Sequence, residues 1–168
     1  MKHLLVLPFL LYHPLAVTSL SDKLKEDILC LTANLYFEAR GEGIKGLKAV
    51  ADVTLNRVKS KKYPSSVCAV VFQKRQFSWV HEVPWDKIQK ALNHVEPSKN
   101  PQEVSAYHQA YKEAKKTLLG RPMVLSESVL WYHTKEVKPK WRNNLKVHTI
   151  IGSHIFYEPK PKDSNPRK

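Results

Sequence analysis

Nowhere in these 168 residues is there an unbroken apolar run of the roughly twenty residues that a membrane-spanning helix requires. Cysteine numbers two, too few for a fold held together by many disulfides, and no segment repeats. The histidines at positions 81, 94, 108, 133, 148 and 154 include no His-Glu-x-x-His pair, and the cysteines form no Cys-x-x-Cys. A metal-dependent amidase or peptidase is therefore not expected, and no cofactor is expected either. Acidic side chains are also in short supply. Fifteen Asp and Glu stand against twenty-eight Lys and Arg, a formal net charge of +13. That balance points to a polyanionic partner: nucleic acid, anionic lipid or an acidic cell-wall polymer.

What is present is an ordinary soluble composition, 42% hydrophobic and 26% charged, in a chain long enough to bury the core of one domain. The opening segment MKHLLVLPFLLYHPLAVTS differs from the rest. A basic start at Lys2, an apolar run from Leu4 to Leu11 and small residues from Ala16 to Ser19 have the layout of a secretory signal, with cleavage after Ser19. Pro8, His13 and Pro14 oppose a stable span. The expected organisation is a signal at 1–19, one catalytic domain at 20–158 and a basic, disordered tail at 159–168. The mature chain is expected to be a monomer exported to the periplasm, cell wall or exterior. Cys30 and Cys68 both sit among apolar neighbours. Export permits a disulfide, but that context favours buried thiols.

Ser21 or Asp22 is placed to cap a first helix whose opening turn holds Glu26 and Asp27. Leu24, Ile28, Leu31 and Leu35 recur at spacings of four, three and four and define one face. A second helix is predicted over 46–59 with Leu47, Val50, Ala51, Thr54 and Val58 inward, then a short helix at 65–72 and another at 85–94. Asn100-Pro101 opens a long helix with Val104, Tyr107, Tyr111, Ala114 and Leu118 inward, stopped by Gly120 and Pro122. Beyond it, ESVLWYH and VHTIIGSHIFYE have strand character, with a tight turn at Gly152-Ser153. The fold class is α+β, mainly α: a helical body with a small antiparallel sheet or hairpin near the C-terminus.

Continuing the first helical face by three residues from Leu35 lands on Glu38. A carboxyl on an apolar face, at the negative end of a helix, is held protonated by desolvation and by the helix dipole. That is the state a general acid needs. The alternative is a core-edge glutamate paired with Arg40 or Arg57, and periodicity does not separate the two.

The stretch LTANLYFEARGEGIKGLKAVADVTLNRVKSKKYPSSVCAVVFQKRQFSW resembles the catalytic core of the SleB/CwlJ-type cell wall hydrolases. VLWYHTKEVKPKWRNNLKVHTIIGSHIFYEP resembles the end of the same domain. The resemblance implies a lysozyme-like fold and cleavage of peptidoglycan glycan strands between N-acetylmuramic acid and N-acetylglucosamine, with the family's catalytic acid falling on Glu38. It further implies lytic transglycosylation, in which one carboxyl acts as acid and then as base and no water enters. A hydrolytic muramidase of the same fold would ordinarily need a second carboxylate. Glu42 lies beyond Gly41 without apolar context, and solvation or pairing with Arg40 suits it better than catalysis. Arg40, Glu42, Gln73, Phe77, Ser78, Tyr132, His133 and Trp141 are the candidate substrate-binding residues, being the polar and aromatic types that hydrogen-bond and stack on sugars. Phe77 and Trp79 also fit a core role, and His133 is the titratable group of the set. A non-catalytic module binding anionic polymers is the rival of a different class. The export signal argues against nucleic acid and favours anionic wall polymers as partners of the basic surface.

Overall fold

Helix α1, Leu15–Ala39, runs through the middle of the molecule. The computed structural model describes residues 15–74, 76–77, 79 and 100–161, with side chains from Asp22 onward. From Cys30 to Leu35 every residue of α1 is buried, because α2 (Gly43–Lys59), α3 (Val67–Val71) and α4 (Pro101–Leu118) pack around it. Ile28, Leu31 and Leu35 form the expected inward stripe, while Leu24 stays exposed. The expected cap at Ser21 or Asp22 is not one, since both lie inside α1. No glycine or proline separates Leu15 from Ala39, so nothing in the backbone stops the helix there. The signal reading at 1–19 falls largely on residues 1–14, outside those described, as do the helix expected at 85–94 and the tail from residue 162.

Helix α2 begins three residues earlier than its pattern suggests and buries Leu47, Val50, Ala51 and Thr54. Helix α3 is capped by Ser66, whose side chain accepts from the Ala69 N–H. Asn100 caps α4 in the same way, accepting from Gln102 N at 3.0 Å, with Pro101 at the first helical position. The buried stripe of α4 is Ala110, Glu113, Ala114 and Thr117; of the residues expected inward, Ala114 is buried, Leu118 packs against the core, Val104 and Tyr107 are half-buried, and Tyr111 is exposed. Small residues let α4 approach closely, and the tyrosine hydroxyls are better served at the surface. Glu113 is tolerated inside because Arg121 Nε donates to it. The same guanidinium meets Asp52 of α2 at 2.9 Å, and Asp52 accepts from the Val124 and Leu125 N–H groups at 2.6 and 3.0 Å.

Strands β1 (Trp131–Thr134), β2 (Leu145–Ile151) and β3 (His154–Pro159) form an antiparallel sheet in the order β1-β3-β2. Tyr132 pairs with Phe156, and a register shift interrupts β2 between Val147 and Thr149. The β2–β3 hairpin turns on Gly152-Ser153 as expected, with Gly152 at φ 58°, a left-handed conformation natural to glycine. The α+β, mainly helical class is therefore the observed one. Among the described residues no helix is long and apolar enough to cross a membrane.

The two cysteines are not thiols. Cys30 of α1 and Cys68 of α3 are joined, with Cα atoms 5.2 Å apart across 38 residues. An apolar neighbourhood suits a disulfide as well as a thiol, so only the geometry distinguishes them. Closing a loop of that length stabilises a fold by about 2–4 kcal/mol. Reduction, or a Cys30→Ala/Cys68→Ala double variant, is expected to lower the urea midpoint by that equivalent; an unchanged midpoint would show that the link carries no stability.

Candidate active site

Where α1 ends, its last turn faces the sheet across a cavity of about 160 Å³. Glu38 projects into it, half-buried, beside Arg57 of α2, Phe77, and Tyr132, His133 and His154 from the strands. Tyr132 Oη donates to Glu38 Oε2 at 3.1 Å. Desolvation pushes the Glu38 carboxyl above its ordinary range; the Tyr132 hydrogen bond, the Arg57 charge and Trp79 pull it back only in part. The Trp79 indole N–H is buried without a well-formed hydrogen bond and is the weakest of these influences. Tyr132 is partly buried, and desolvation, followed by the adjacent Glu38, holds its phenol well above its usual range, so it stays a donor.

Arg57 is the electrostatic counterpart. Its guanidinium is buried and caged by the rings of Tyr63, Phe77 and Tyr132, with centroids 5.4, 5.8 and 5.7 Å away. Nε donates to the Leu130 carbonyl at 2.8 Å, and the Gln76 amide oxygen accepts from Nη1 and Nη2 at 2.8 and 3.3 Å. Of the two arginines that could pair with Glu38, only Arg57 shares its cavity. Arg40 turns to α4, where Nη1 meets Glu103 at 2.9 Å and Tyr36 Oη at 3.1 Å.

Glu42 is neither solvated nor paired with Arg40. Its carboxylate accepts from Ser153 N at 2.7 Å and from the Ser153 hydroxyl, and stands 3.9 Å from His154 Nδ1. Burial pushes its pKa up, but the two Ser153 hydrogen bonds, with His154 and Lys135, outweigh that and hold it below the usual carboxylate range. Two glycines make room for it. A Cβ at Gly152 would lie 1.8 Å from Glu42 Oε2, and one at Gly46 would lie 2.2 Å from Glu42 Cβ. Glu42 thus ties the start of α2 to the β2–β3 turn.

The other expected residues divide. Phe77, Tyr132 and His133 do line the cavity. His133 is fully engaged, with Nδ1 2.8 Å from the Thr134 carbonyl and Nε2 2.8 Å from Tyr157 Oη. Trp141 packs on His133 and Tyr157 outside the lining, and Gln73 yields its place to Gln76. Trp79 is core, stacked between Phe37 and Phe77. Ser78 lies outside the described residues. His154 was not anticipated as a site residue. Its ring lines the cavity edge-on to Tyr132 at 5.2 Å, its Nδ1 is buried without a hydrogen bond, and burial lowers its pKa against the opposing pull of Glu42. The signal was available in the alternation of β3, which turns His154 and Phe156 to the same buried face.

Residues 41–157 match the family described as Cell Wall Hydrolase; Glu38 stands just before that span. The spore cortex-lytic enzyme of Bacillus subtilis (strain 168) is 32% identical over 107 residues, covering 58% of this chain and 34% of the relative. That of Oceanobacillus iheyensis is 38% identical over 85 residues, covering 45% and 31%. The chain therefore spans about a third of the length of the curated relatives it matches. Among solved structures, the catalytic domain of the germination-specific lytic transglycosylase SleB from Bacillus anthracis matches at 28% identity and TM-score 0.61, over 80% of this chain and 95% of that one. The catalytic domain of the Bacillus cereus SleB protein matches at 28% and 0.58, over 79% and 91%.

Proposed function

Because the chain belongs to the Cell Wall Hydrolase family, we propose that it cleaves the glycan strands of peptidoglycan as a lytic transglycosylase, with Glu38 as its catalytic group. The observation that carries this reading is a single carboxyl with a raised pKa among the described residues lining the cavity. Glu38 donates its proton to the oxygen joining N-acetylmuramic acid to N-acetylglucosamine as the bond from that oxygen to C1 breaks. The resulting carboxylate, supported by Tyr132 and Arg57, takes the proton of the muramic C6 hydroxyl while that oxygen bonds C1. Glu38 ends protonated, and the products are a free N-acetylglucosamine 4-hydroxyl and a 1,6-anhydromuramoyl end. A base acting through water is not required. Glu42, the nearest acid in sequence, is already committed to Ser153.

Similarity to proteins named as spore cortex-lytic enzymes and as a lytic transglycosylase supports both substrate and reaction. The Cys30–Cys68 disulfide supports export, since such links persist in oxidising compartments. The net charge of +13 supports retention on anionic wall polymers. Digestion of purified peptidoglycan followed by mass spectrometry tests the chemistry. Muramoyl ends lighter by one water than reducing ends are expected. Reducing ends that incorporate labelled water would identify a hydrolytic muramidase instead.

The pH profile offers a second check. Glu38 must enter the cycle protonated, so activity is expected to fall as pH rises through its raised pKa. Tyr132 hydrogen-bonds the carboxylate form and thereby lowers that pKa. Tyr132→Phe is expected to move the alkaline limb to higher pH by about one unit, the equivalent of one charge-assisted hydrogen bond, and to lower kcat. A limb that stays put would detach it from Glu38. Arg57, Trp79, His133 and His154, which also face the cavity or the carboxyl, remain in place in that variant.

A further inference from the structure

The outward stripe of α4 has no role in the cavity just described. His108, Tyr111, Lys112, Lys115, Lys116 and Leu119 follow one another at helical spacing and wall an open groove of about 450 Å³. A second depression of about 310 Å³, sharing Lys112 and Lys116, continues it to Ile44 and Lys48 of α2. Leu119, Ile44 and Tyr111 are 63%, 48% and 38% exposed. Among the described residues no carboxylate pairs with Lys48, Lys112, Lys115 or Lys116. Glu113, the acid that reaches the second depression, is held by Arg121. The face is thus both cationic and apolar.

We propose that this α2–α4 face docks the protein on an anionic phospholipid surface, with the ammonium groups on headgroup phosphates and Leu119, Ile44 and Tyr111 inserted beneath them. Charge alone would suit any polyanion. The exposed apolar side chains among the lysines are what favour lipid, because a hydrated phosphate polymer offers them nothing to bury. The face shares no lining residue with the Glu38 cavity, so docking there uses none of the residues that line it. The inference is independent of the cleavage reading, since vesicles carry no glycan.

Sedimentation of the full chain with phosphatidylglycerol–phosphatidylcholine vesicles, against pure phosphatidylcholine, tests it. Any contribution from the apolar first nineteen residues appears in both vesicle types and is subtracted by the comparison. Binding should be stronger on the anionic vesicles and weaken with salt. Each lysine at an anionic leaflet strengthens binding roughly five-fold. The Lys112→Gln/Lys115→Gln/Lys116→Gln variant is therefore expected to lose about a hundredfold, by the same principle. Leu119→Ser should lose about tenfold through lost apolar burial. Both variants should cleave solubilised peptidoglycan fragments like the parent. The proposal is overturned if the triple variant binds anionic vesicles undiminished. It is equally overturned if Leu119→Ser binds like the parent while the triple variant does not, which would make the face a polyanion patch for wall polymers.

Discussion

Glu38→Gln is expected to fold and to lose at least the roughly 10² to 10⁴-fold that general acid–base catalysis contributes. The substitution keeps the size of the side chain and can still accept from Tyr132, so lost activity reports the lost proton and not lost packing. Stability gives an independent readout. Because the folded state raises the Glu38 pKa, it binds that proton more tightly than the unfolded chain does. The associated stability is complete below the ordinary carboxylate range and is lost as pH rises through the folded value. Glu38→Gln removes that loss and should be at least as stable as the parent at neutral pH. A glutamate kept for an ion pair would behave in the opposite way, with stability falling and activity following it. Cleavage of purified peptidoglycan near the parental rate would remove Glu38 from the mechanism. Glu42→Gln should lose far less activity and should instead lose stability, because it weakens the hydrogen bonds from Ser153.

The largest stability effect is expected away from the cavity. Arg121 is the shared cation of Asp52 and Glu113, and all three are nearly excluded from solvent. Arg121→Met leaves two buried carboxyls without their counter-charge, and breaking a buried ion pair by removing one partner costs about 3–5 kcal/mol. Urea unfolding should show that loss. Replacing Asp52, Glu113 and Arg121 together by apolar residues of matching volume should recover most of it. If Arg121→Met unfolds like the parent, the network contributes nothing, and the placement of α4 against α2 must come from the alanine contacts alone.

Periodicity was enough to set Glu38 on the inward face of α1, because the three-and-four spacing from Leu24 to Leu35 extends onto it, but the role proposed for it came from the family resemblance. The Gly152-Ser153 hairpin was legible from β-branched content and turn chemistry, with no help from periodicity. Local pattern failed where a position has two physically adequate solutions. Cys30 and Cys68 satisfy their apolar settings as thiols or as a disulfide, and only a Cα separation of 5.2 Å decides. On α4 the pattern puts Ala114 and Tyr111 on one face, and the close approach of α1 buries Ala110, Ala114 and Thr117 while turning Tyr111 outward. Arg57 illustrates a third difficulty. A helix pattern places Val58 inward, and Val58 does pack against the core, but its neighbour Arg57 is buried more deeply, in a cage from Tyr63, Phe77 and Tyr132, parts of the chain that no local pattern connects.

The tie between Glu42 and the β2–β3 turn has an evolutionary consequence. Residues 46, 152 and 153 all constrain one side chain, position 46 meeting the Glu42 stem and positions 152 and 153 its carboxylate. A lineage that retains the acid cannot accept a side chain at 152, where the first added carbon would overlap Oε2. One that exchanges it for alanine frees the serine and clears the carboxylate from beside position 152, but it keeps the Cβ that crowds position 46 and the positive φ that favours glycine at 152. Substitution should therefore enter this group through position 42 and reach Ser153 next, with glycine persisting at 46 and 152 after the acid has gone.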